Sequence, residues 1–503
     1  MVSARRHTEK ETSVRRFVTF MGAVLVVALG LVLSAQQPAF TRSPRADLSQ
    51  RIRAAARLGT SHAPGRVLVK FRPGLPTAAQ TSAVTLALPG TAARVRPGDA
   101  YADFDYVDLP LDVDVPGAAR ALAQRPEVEY AEPDALHRFA LTPSDPSFAR
   151  QWHMRAMNLE RAWDINDGAR DVVVAVIDSG LAMANDVLRF PRFWNGRIQI
   201  IDVPFGRATD IASSGRVVAP YDFFYEDDIP YDMDGHGTHV AGSLAQLANN
   251  NESGVGVAFN ARVMPLKVCI GEWEVLFILA EDGVQTVPPH LAGGVCFASD
   301  EARAIRYAVD NGARVLNLSL GGESPTEATR EALQYAVSRG AFVAVAAGNE
   351  FEDGNPRGYP ASYAREIDGV MAVAAVGPDL NRAYYSSTGD YVEIAAPGGN
   401  SRQGGADGRV WQQTYRSSAI DAGQFAPRFD VIGDEAYQGT SMAAPHVAGL
   451  AALLYAQGVR NPAAIEAAIR QFARDRGTAG RDDEYGHGLV DARATLRGLG
   501  IAR

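Results

Sequence analysis

The fold of this chain is decided by the stretch GTSMAAPHVAG, residues 439–449, which opens an apolar helix running through Leu450, Leu453 and Leu454. Ser441 lies at the start of that helix. Unpaired backbone N–H groups and the positive end of the helix dipole favour developing negative charge at this place. A serine there is usually only an N-cap. The rest of the chain must therefore show whether Ser441 has a chemical role.

Four apolar runs upstream of this helix indicate the sheet against which it packs. They lie at residues 172–177, 263–268, 315–320 and 341–347. Apolarity that is continuous rather than alternating means burial on both faces of a strand. The sequence therefore predicts an α/β fold, a doubly wound and mostly parallel sheet with helices on both faces. In such sheets active sites form beyond the carboxyl ends of the strands.

Three polar residues stand where that rule directs attention. Asp178 follows the first strand, His236 opens a helix between two glycines, and Asn349 follows the strand at 341–347. An aspartate after a strand more often caps the next turn. A histidine between glycines, however, can bond a carboxylate through one ring nitrogen and face a nucleophile with the other. With Ser441 these residues supply the base, orienter and oxyanion donor that a serine nucleophile needs.

Together these segments resemble the subtilisin family of serine proteases. The matching motifs are VIDSG (176–180), HGTHVAG (236–242) and GTSMAAPHVAG (439–449), in the family's chain order of Asp, His and Ser. The resemblance runs from about residue 145 to residue 492. It implies that Ser441 attacks the peptide carbonyl, that His236 moves the proton, and that Asp178 holds the imidazole. Asn349 and the backbone N–H of Ser441 would stabilise the oxyanion.

The resemblance also implies the substrate-binding residues. A strand at Ser319, Leu320 and Gly321 would pair with the peptide as an added β-strand. The walls and floor of the first specificity pocket would come from four small residues, Ala346, Ala347, Gly348 and Gly358. Small residues leave space, so we expect a large apolar or aromatic side chain to be favoured. Protein or peptide substrates are thus the expected partners, and the chemistry requires no cofactor.

A second hypothesis is a catalytically silent homologue that acts as a binding module. A silent copy has no chemical need to retain Asp178, His236, Asn349 and Ser441 together, which argues against it. The net charge of −9 gives no electrostatic reason to expect a nucleic acid partner. We expect a monomer.

The N-terminus has the pattern of an export signal. Basic residues precede an apolar run at residues 17–35. We assign residues 1–40 to a signal peptide, with a retained membrane anchor as the alternative, because the run is long and no clean cleavage motif follows it. Either way the rest of the chain is expected outside the cytoplasm: secreted, periplasmic or on the cell surface. The two cysteines, Cys269 and Cys296, then suit one disulfide, although two free thiols stay the alternative.

Between the signal and the peptidase domain the chain has two further parts. Residues 41–63 are rich in Arg and Ala with little apolar periodicity, and we predict a flexible linker. Residues 64–142 alternate strands and helices as a small α+β, split βαβ unit. This unit resembles the family's propeptides, which implies a folding chaperone and temporary intramolecular inhibitor. The peptidase domain takes residues 143–503, and self-cleavage is expected between Tyr130 and Ser147.

The chain departs from the family pattern in three insertions, at residues 187–218, 270–297 and 401–435. They either narrow the cleft or decorate the surface. A structural calcium site is expected at an acidic cluster, because carboxylate oxygens at close spacing suit Ca²⁺. Its predicted ligands are Asp222, Asp227, Asp228 and Asp232. A solvated acidic loop is the alternative explanation of this cluster.

Overall fold

The computed structural model describes residues 46–58, 60, 62–136, 142–168, 171–213 and 215–498. The signal or anchor predicted at residues 1–40, including its apolar run at 17–35, lies outside these residues. The chain divides into two compact units, Met1–His137 and Arg138–Arg503. None of the helices in the described ranges has the length and apolar character needed to span a bilayer.

The first unit is an antiparallel sheet covered by helices. Its four strands pair in the order β2-β3-β1-β4. In chain order the elements are α1 (Ala46–Leu58), β1 (His62–Phe71), α2 (Thr77–Ala87), β2 (Arg94–Arg96), β3 (Asp105–Asp108), α3 (Val115–Ala123) and β4 (Val128–Ala135). Val67, Val69 and Leu122 are fully buried between sheet and helices. The order of elements from β1 onward is the predicted split βαβ arrangement.

The flexible linker predicted at residues 41–63 is wrong where the structure describes it. Residues Ala46–Leu58 form helix α1, which packs on the sheet through Ala54 and Ala55. Arg51 donates hydrogen bonds of 2.6 Å to the Pro64 carbonyl and of 2.6 Å to the Asp108 carboxylate. The helix thus relies on small residues and on a partly buried ion pair with a distant strand. Neither gives the apolar periodicity by which a helix is predicted.

The second unit is built on a parallel sheet of seven strands, four of which lie in the apolar runs that predicted the sheet. The strands pair in the order β15-β14-β13-β12-β5-β9-β8 and every pairing is parallel. Their bounds are β5 (Val173–Asp178), β8 (Tyr221–Asp222), β9 (Arg262–Lys267), β12 (Val315–Leu318), β13 (Phe342–Ala346), β14 (Val370–Val376) and β15 (Val392–Pro397). These strands form the scaffold that carries the polar residues of the candidate site.

Helices cover both faces of this sheet. They are α4 (Trp152–Ala156), α5 (Leu159–Ala162), α6 (His236–Ala245), α7 (Glu272–Ile278), α8 (Ala298–Asp310), α9 (Glu327–Ser338), α10 (Thr440–Ala456), α11 (Pro462–Gln471) and α12 (Ala492–Gly498). Along β5, Val174 and Val176 pack with α6 and α10, whereas Ala175 and Ile177 pack with α8 and α9 on the opposite face. Burial on both faces is why the strand sequences are continuously apolar.

The three insertions add short antiparallel pairs around the parallel sheet. They contribute a hairpin of β6 (Asp186–Trp194) and β7 (Arg197–Phe205), a short pair of β10 (Cys269–Ile270) and β11 (Val295–Cys296), and a hairpin of β16 (Val410–Tyr415) and β17 (Ile432–Tyr437). Cys269 and Cys296 lie opposite each other in the second pair and are joined by a disulfide.

The insertions also pack against one another. Phe190 of the first stacks on Phe277 of the second, with ring centroids 4.5 Å apart. The indole N–H of Trp273, in the second insertion, donates a 2.7 Å hydrogen bond to the Ile420 carbonyl of the third. The rings of Trp194 and Phe425, whose centroids lie 5.9 Å apart, join the first and third insertions. Three segments far apart in sequence thus form one continuous substructure, which is more than independent surface decoration.

Candidate active site

Asp178 and His236 form a preorganised pair. Asp178 ends strand β5, and His236 is the first residue of helix α6. The His236 Nδ1 atom lies 2.7 Å from Asp178 Oδ1. The Asp178 side chain is 3% exposed and the His236 side chain 30% exposed. The carboxylate therefore fixes one ring nitrogen inside the protein while part of the imidazole stays open to solvent.

The loop that presents His236 is held by Asp232. This buried carboxylate accepts hydrogen bonds from the Ser179 hydroxyl at 3.0 Å and from the Gly235 N–H at 2.8 Å. Its other oxygen accepts from the N–H and hydroxyl of Thr238, at 3.0 and 2.6 Å. Asp232 thus ties the segment after β5 to the first turn of α6. Gly235, at φ 97°, makes the tight entry to the helix.

The surroundings of His236 favour its charged form. Burial lowers the pKa of His236, but the charge and hydrogen bond of Asp178, together with the charges of Asp234 and Asp232, outweigh burial and raise the pKa to about 9. Burial and the neighbouring Asp232 also raise the pKa of Asp234, to about 6. Asp234 is therefore ionised throughout the pH range in which His236 titrates.

Ser441 lies in the first turn of helix α10, beside the end of β12. Its hydroxyl donates to the Ser319 carbonyl at 3.2 Å, and the Ser319 hydroxyl donates to the Ser441 carbonyl at 2.7 Å. Within the described part of the chain no hydrogen bond joins Ser441 to His236. Bonds between a catalytic base and its nucleophile are often formed only once substrate is bound.

Asn349 lies on the loop after β13, next to the same helix start. Its side-chain oxygen accepts from the Thr440 N–H at 2.9 Å and from the Thr440 hydroxyl at 3.1 Å. Its backbone N–H donates to Glu350 at 2.7 Å. Because the side-chain oxygen is engaged, the amide is held in one orientation with its NH₂ group available as a donor. Asn349 is exposed at this rim.

The other predicted site residues lie at the ends of the same strands. Ser319, Leu320 and Gly321 continue directly from β12. Ala346 ends β13, and Ala347 and Gly348 follow it. Gly358 approaches this run closely, since a Cβ on it would lie 3.3 Å from the Ala347 carbonyl oxygen. The structure therefore brings all the sequence-predicted catalytic and substrate-binding residues to one edge of the sheet.

Three residues have roles at this edge that the sequence does not assign to them. Asp234 raises the pKa of His236, Asp232 holds the His236 loop, and Thr440 orients Asn349. In the sequence, Asp232 stands out only as a predicted calcium ligand, and Asp234 only as a further acidic residue two positions beyond it. Their spacing from His236, four and two residues upstream, is the signal that distinguishes them from a solvated loop.

The acidic cluster does not fit the calcium site predicted from it. Asp232 already accepts the hydrogen bonds described above, and one oxygen of Asp222 accepts from the Phe224 and Tyr225 N–H groups, both at 2.9 Å. Asp227 accepts from the Ile229 N–H at 2.9 Å. Within the described ranges, no three or more His, Cys, Asp or Glu side chains are grouped so that they could hold a metal ion. Asp228, the fourth predicted ligand, therefore belongs to no such group either. Asp222, Asp227 and Asp232 instead accept backbone N–H groups and so close turns.

Comparison with family models gives two matches along the chain. Residues 169–488 match the subtilase family of S8 peptidases, and residues 49–134 match the fervidolysin N-terminal prodomain. The second match begins inside helix α1 and ends in β4. It therefore includes most of the helix that lies in the predicted linker.

Individual relatives agree with these matches. A thermophilic serine proteinase from a Bacillus species is 33% identical over 393 residues, covering 77% of this chain and 79% of the relative. An extracellular protease of Xanthomonas campestris is 30% identical, covering 83% of this chain and 70% of the relative. Among solved structures, a protease from Pseudoalteromonas arctica superposes with a TM-score of 0.51 at 30% identity, covering 72% of this chain and all of that one.

The parallel sheet, the residues gathered at its edge and these matches agree with one another. The chain belongs to the subtilase family, as a serine-type peptidase with an N-terminal prodomain of the fervidolysin type.

Proposed function

We propose that this protein is an endopeptidase that hydrolyses peptide bonds through an acyl-enzyme on Ser441. The observation that carries the proposal is the 2.7 Å pair of His236 and Asp178 at the same sheet edge as Ser441 and Asn349. A paired imidazole beside a serine at a helix start supplies both a base and a site for developing negative charge.

The reaction follows from these positions. Ser441 Oγ bonds to the peptide carbonyl carbon as His236 Nε2 takes the hydroxyl proton, and Asp178 stabilises the imidazolium. Asn349 and the Ser441 N–H donate to the oxyanion. The C–N bond then breaks and His236 gives its proton to the leaving amine. Water repeats the sequence on the ester: His236 takes a proton from water, the acid is released, and the proton returns to Ser441.

A fluorophosphonate probe tests this function against the rival of a silent binding module. Such a probe modifies only a serine that is activated as a nucleophile. Labelling of the wild-type protein at Ser441, abolished in Ser441→Ala and strongly reduced in His236→Ala, is the expected result. Ser319→Ala is the matched control, since Ser319 touches Ser441 but is not the proposed nucleophile, and it should still be labelled. An unlabelled wild-type mature chain would favour the binding module.

The protein is also proposed to be a zymogen that processes itself. The prodomain match at residues 49–134 supports an N-terminal propeptide that includes helix α1 and does not begin at residue 64, and this propeptide is proposed to inhibit the peptidase domain at 143–503. Part of the predicted cleavage window, residues 137–141, lies outside the described residues. We expect the wild type to yield a mature chain starting between about residues 137 and 147, and the freed propeptide to inhibit it.

The Ser441→Ala precursor, made in a host lacking other exported proteases, tests self-processing. It should keep its propeptide, whereas wild type loses it, as read by mass spectrometry of the N-terminus. Efficient cutting of the variant in the same window would assign the processing to another enzyme.

Finally, we propose that the peptidase acts outside the cytoplasm as a monomer, with Cys269 and Cys296 bridged. The extracellular relative and the signal pattern support export. Cell fractionation should find the mature chain in the medium or periplasm. If the protein were instead found in the membrane fraction and still carried residues 17–35, the membrane anchor would be favoured.

The disulfide has its own test. Native exported protein should resist thiol alkylation until it is reduced, and two freely alkylated thiols would contradict the bridge.

A further inference from the structure

A cavity opens beside the segment that continues from Ser319. Its volume is about 240 Å³, which suits one long side chain rather than a whole ligand. Leu320, Gly321 and Gly322 form one wall. Helix α8 forms another wall through Ala298 and Glu301, and Cys296, Thr329, Tyr359 and Tyr363 contribute to the rest. We call this cavity the Glu301 pocket.

The carboxyl group of Glu301 is the unusual feature of this pocket. Glu301 is only 6% exposed, and its Oε1 atom is buried without a hydrogen-bond partner among the described residues. Burial alone, with no compensating charge nearby, raises its pKa to about 8. A buried carboxyl group without a partner is costly to the fold. Such a cost is expected where a ligand supplies the missing partner.

The rest of the lining also lacks a cation. Thr329, 2% exposed, has a buried hydroxyl oxygen without a partner. The second carboxylate in the lining is Glu323, which is exposed, and among the described lining residues none is Lys or Arg. The pocket therefore has acceptors at its wall and at its mouth, together with tyrosine rings beside which an alkyl stem can pack. This is the complement of a long cationic side chain.

The pocket lies within reach of a peptide held at the proposed catalytic site. Ser319 contacts Ser441 through two hydrogen bonds, of 2.7 and 3.2 Å, and the pocket wall begins one residue later at Leu320. A peptide that pairs with this segment as an added strand directs alternate side chains to the same side. One of its side chains, and not its immediate neighbours, would then enter the Glu301 pocket.

We propose that the Glu301 pocket is a specificity subsite that selects an arginine or lysine side chain of the substrate, with the Glu301 carboxylate as its ion-pair partner. This inference deepens the proposed peptidase function and rests on it. Thr329 supplies a further acceptor, and Glu323 at the mouth adds only a screened charge.

Peptide substrates with a single varied position test the subsite. Quenched fluorescent peptides keep the same large apolar residue before the cleaved bond and carry Gly, Leu, Gln, Lys or Arg at one upstream position at a time. We expect one position to favour Arg and Lys over Leu by about tenfold or more in kcat/KM, because a desolvated charge pair discriminates strongly. The neighbouring positions should show no such preference.

Variants of the two carboxylates make the test specific. E301Q should lose about tenfold or more on the Arg peptide while changing the Gly peptide little, and E301L should favour Leu at the same position. E323Q is the matched control, with the same change at an exposed carboxylate, and should alter the Arg-to-Leu ratio by less than about threefold. Activity on the Gly peptide reports folding of each variant.

The pH dependence of the Arg-to-Leu ratio gives a second readout. His236 acts on both peptides, so its titration cancels in the ratio. The other ionisable groups around the pocket are Glu323, Tyr359 and Tyr363, since Cys296 is in the disulfide. Burial raises the pKa of Glu301 to about 8, so the ratio should rise with pH through that range in wild type and stay flat in E301Q, which keeps every other group.

Three results would overturn the subsite: a preference for Leu at every position, equal rates for Gln and Arg, or equal losses in E301Q and E323Q. Each of these is read from rates on peptides that the enzyme cleaves. Failure of the proposed function is a different outcome, in which no peptide is cleaved and Ser441 is not labelled by fluorophosphonate.

Discussion

The two halves of the candidate site are built from different chemistry. Around His236 stand three carboxylates, Asp178, Asp232 and Asp234, whose charges raise its pKa to about 9. Around Ser441 the hydrogen bonds involve neutral groups, those of Ser319. Ser441 also lies at the start of a helix, where backbone N–H groups are unpaired.

The difference matches what each half must do in the proposed reaction. An imidazole that is to become a cation gains from nearby negative charge, whereas an oxyanion would be destabilised by it. Asn349, held by Thr440, offers a neutral donor at the second half. The nearby carboxylate of Glu350 accepts from the Asn349 backbone N–H. Substitutions that act on one half and leave the other intact can therefore test this division of roles.

Ser441→Ala should have the largest effect. We expect kcat to fall by about 10⁶, the loss known for subtilisin when its serine is removed. The pKa of His236, followed by NMR of the imidazole, should change little because no charge is altered. Thermal unfolding of the purified mature form serves as the folding control. Substantial remaining peptidase activity would show that Ser441 is not the nucleophile.

Asp178→Asn should have the next largest effect and should act on the other half. We expect kcat to fall by about 10⁴, as in other triads that lose the orienting carboxylate. Unlike Ser441→Ala, this change should also lower the pKa of His236, because the Asp178 charge is what chiefly raises it. Asp228→Asn, at an exposed carboxylate of the same acidic cluster, is the matched control and should leave both quantities unchanged.

Asn349→Ala removes a hydrogen-bond donor from the half of the site around Ser441. A fall in kcat of about 10²–10³ is expected, the range known for loss of the oxyanion-hole asparagine in subtilisin, with KM little changed. Thr440→Val should give a smaller fall, since it removes the 3.1 Å hydroxyl contact to Asn349 and keeps the 2.9 Å N–H contact. A rise in KM alone would place Asn349 in substrate binding instead.

The same contrast explains what could be predicted from the sequence. Strands such as β5 and β13 are buried on both faces, so their apolar runs identify the sheet and its parallel order. Because polar residues after parallel strands meet at one edge, the sequence alone assigns Asp178 and Asn349 to a common site. The fold and the gathering of the site residues therefore follow from local patterns.

Features that depend on contacts between distant segments were not predictable in this way. Helix α1 is held by Arg51 and Asp108, 57 residues apart. The hydrogen bond from the Trp273 indole N–H to the Ile420 carbonyl joins two insertions that have no shared pattern. Glu301 looks like any acidic residue in the first turn of a helix, and only the surrounding walls make it a buried carboxyl group. Such features arise from tertiary packing, on which residue spacing gives no information.

The smallest expected effect concerns the pH at which His236 becomes neutral and can act as the base. His236 must be neutral to accept the Ser441 proton, so kcat/KM for an uncharged peptide should rise with pH through its pKa of about 9 and level off above that pH. Asp234→Asn removes one of the charges that raise this pKa and should move the rising limb to lower pH while the plateau stays nearly the same. Asp228→Asn should leave the limb in place.

Stability should change in the opposite direction over the same pH range. A pKa raised from an ordinary value of 6.5 to about 9 means that protonated His236 stabilises the fold. That contribution is complete below about pH 6.5 and is lost as pH rises through 9. Unfolding by urea at pH 7 and pH 10 should therefore show a smaller pH-dependent loss in Asp234→Asn than in wild type. If the rising limb and the stability loss both stayed where wild type has them, Asp234 would not raise the pKa of His236, and Asp178 and Asp232 would account for the contrast between the two halves.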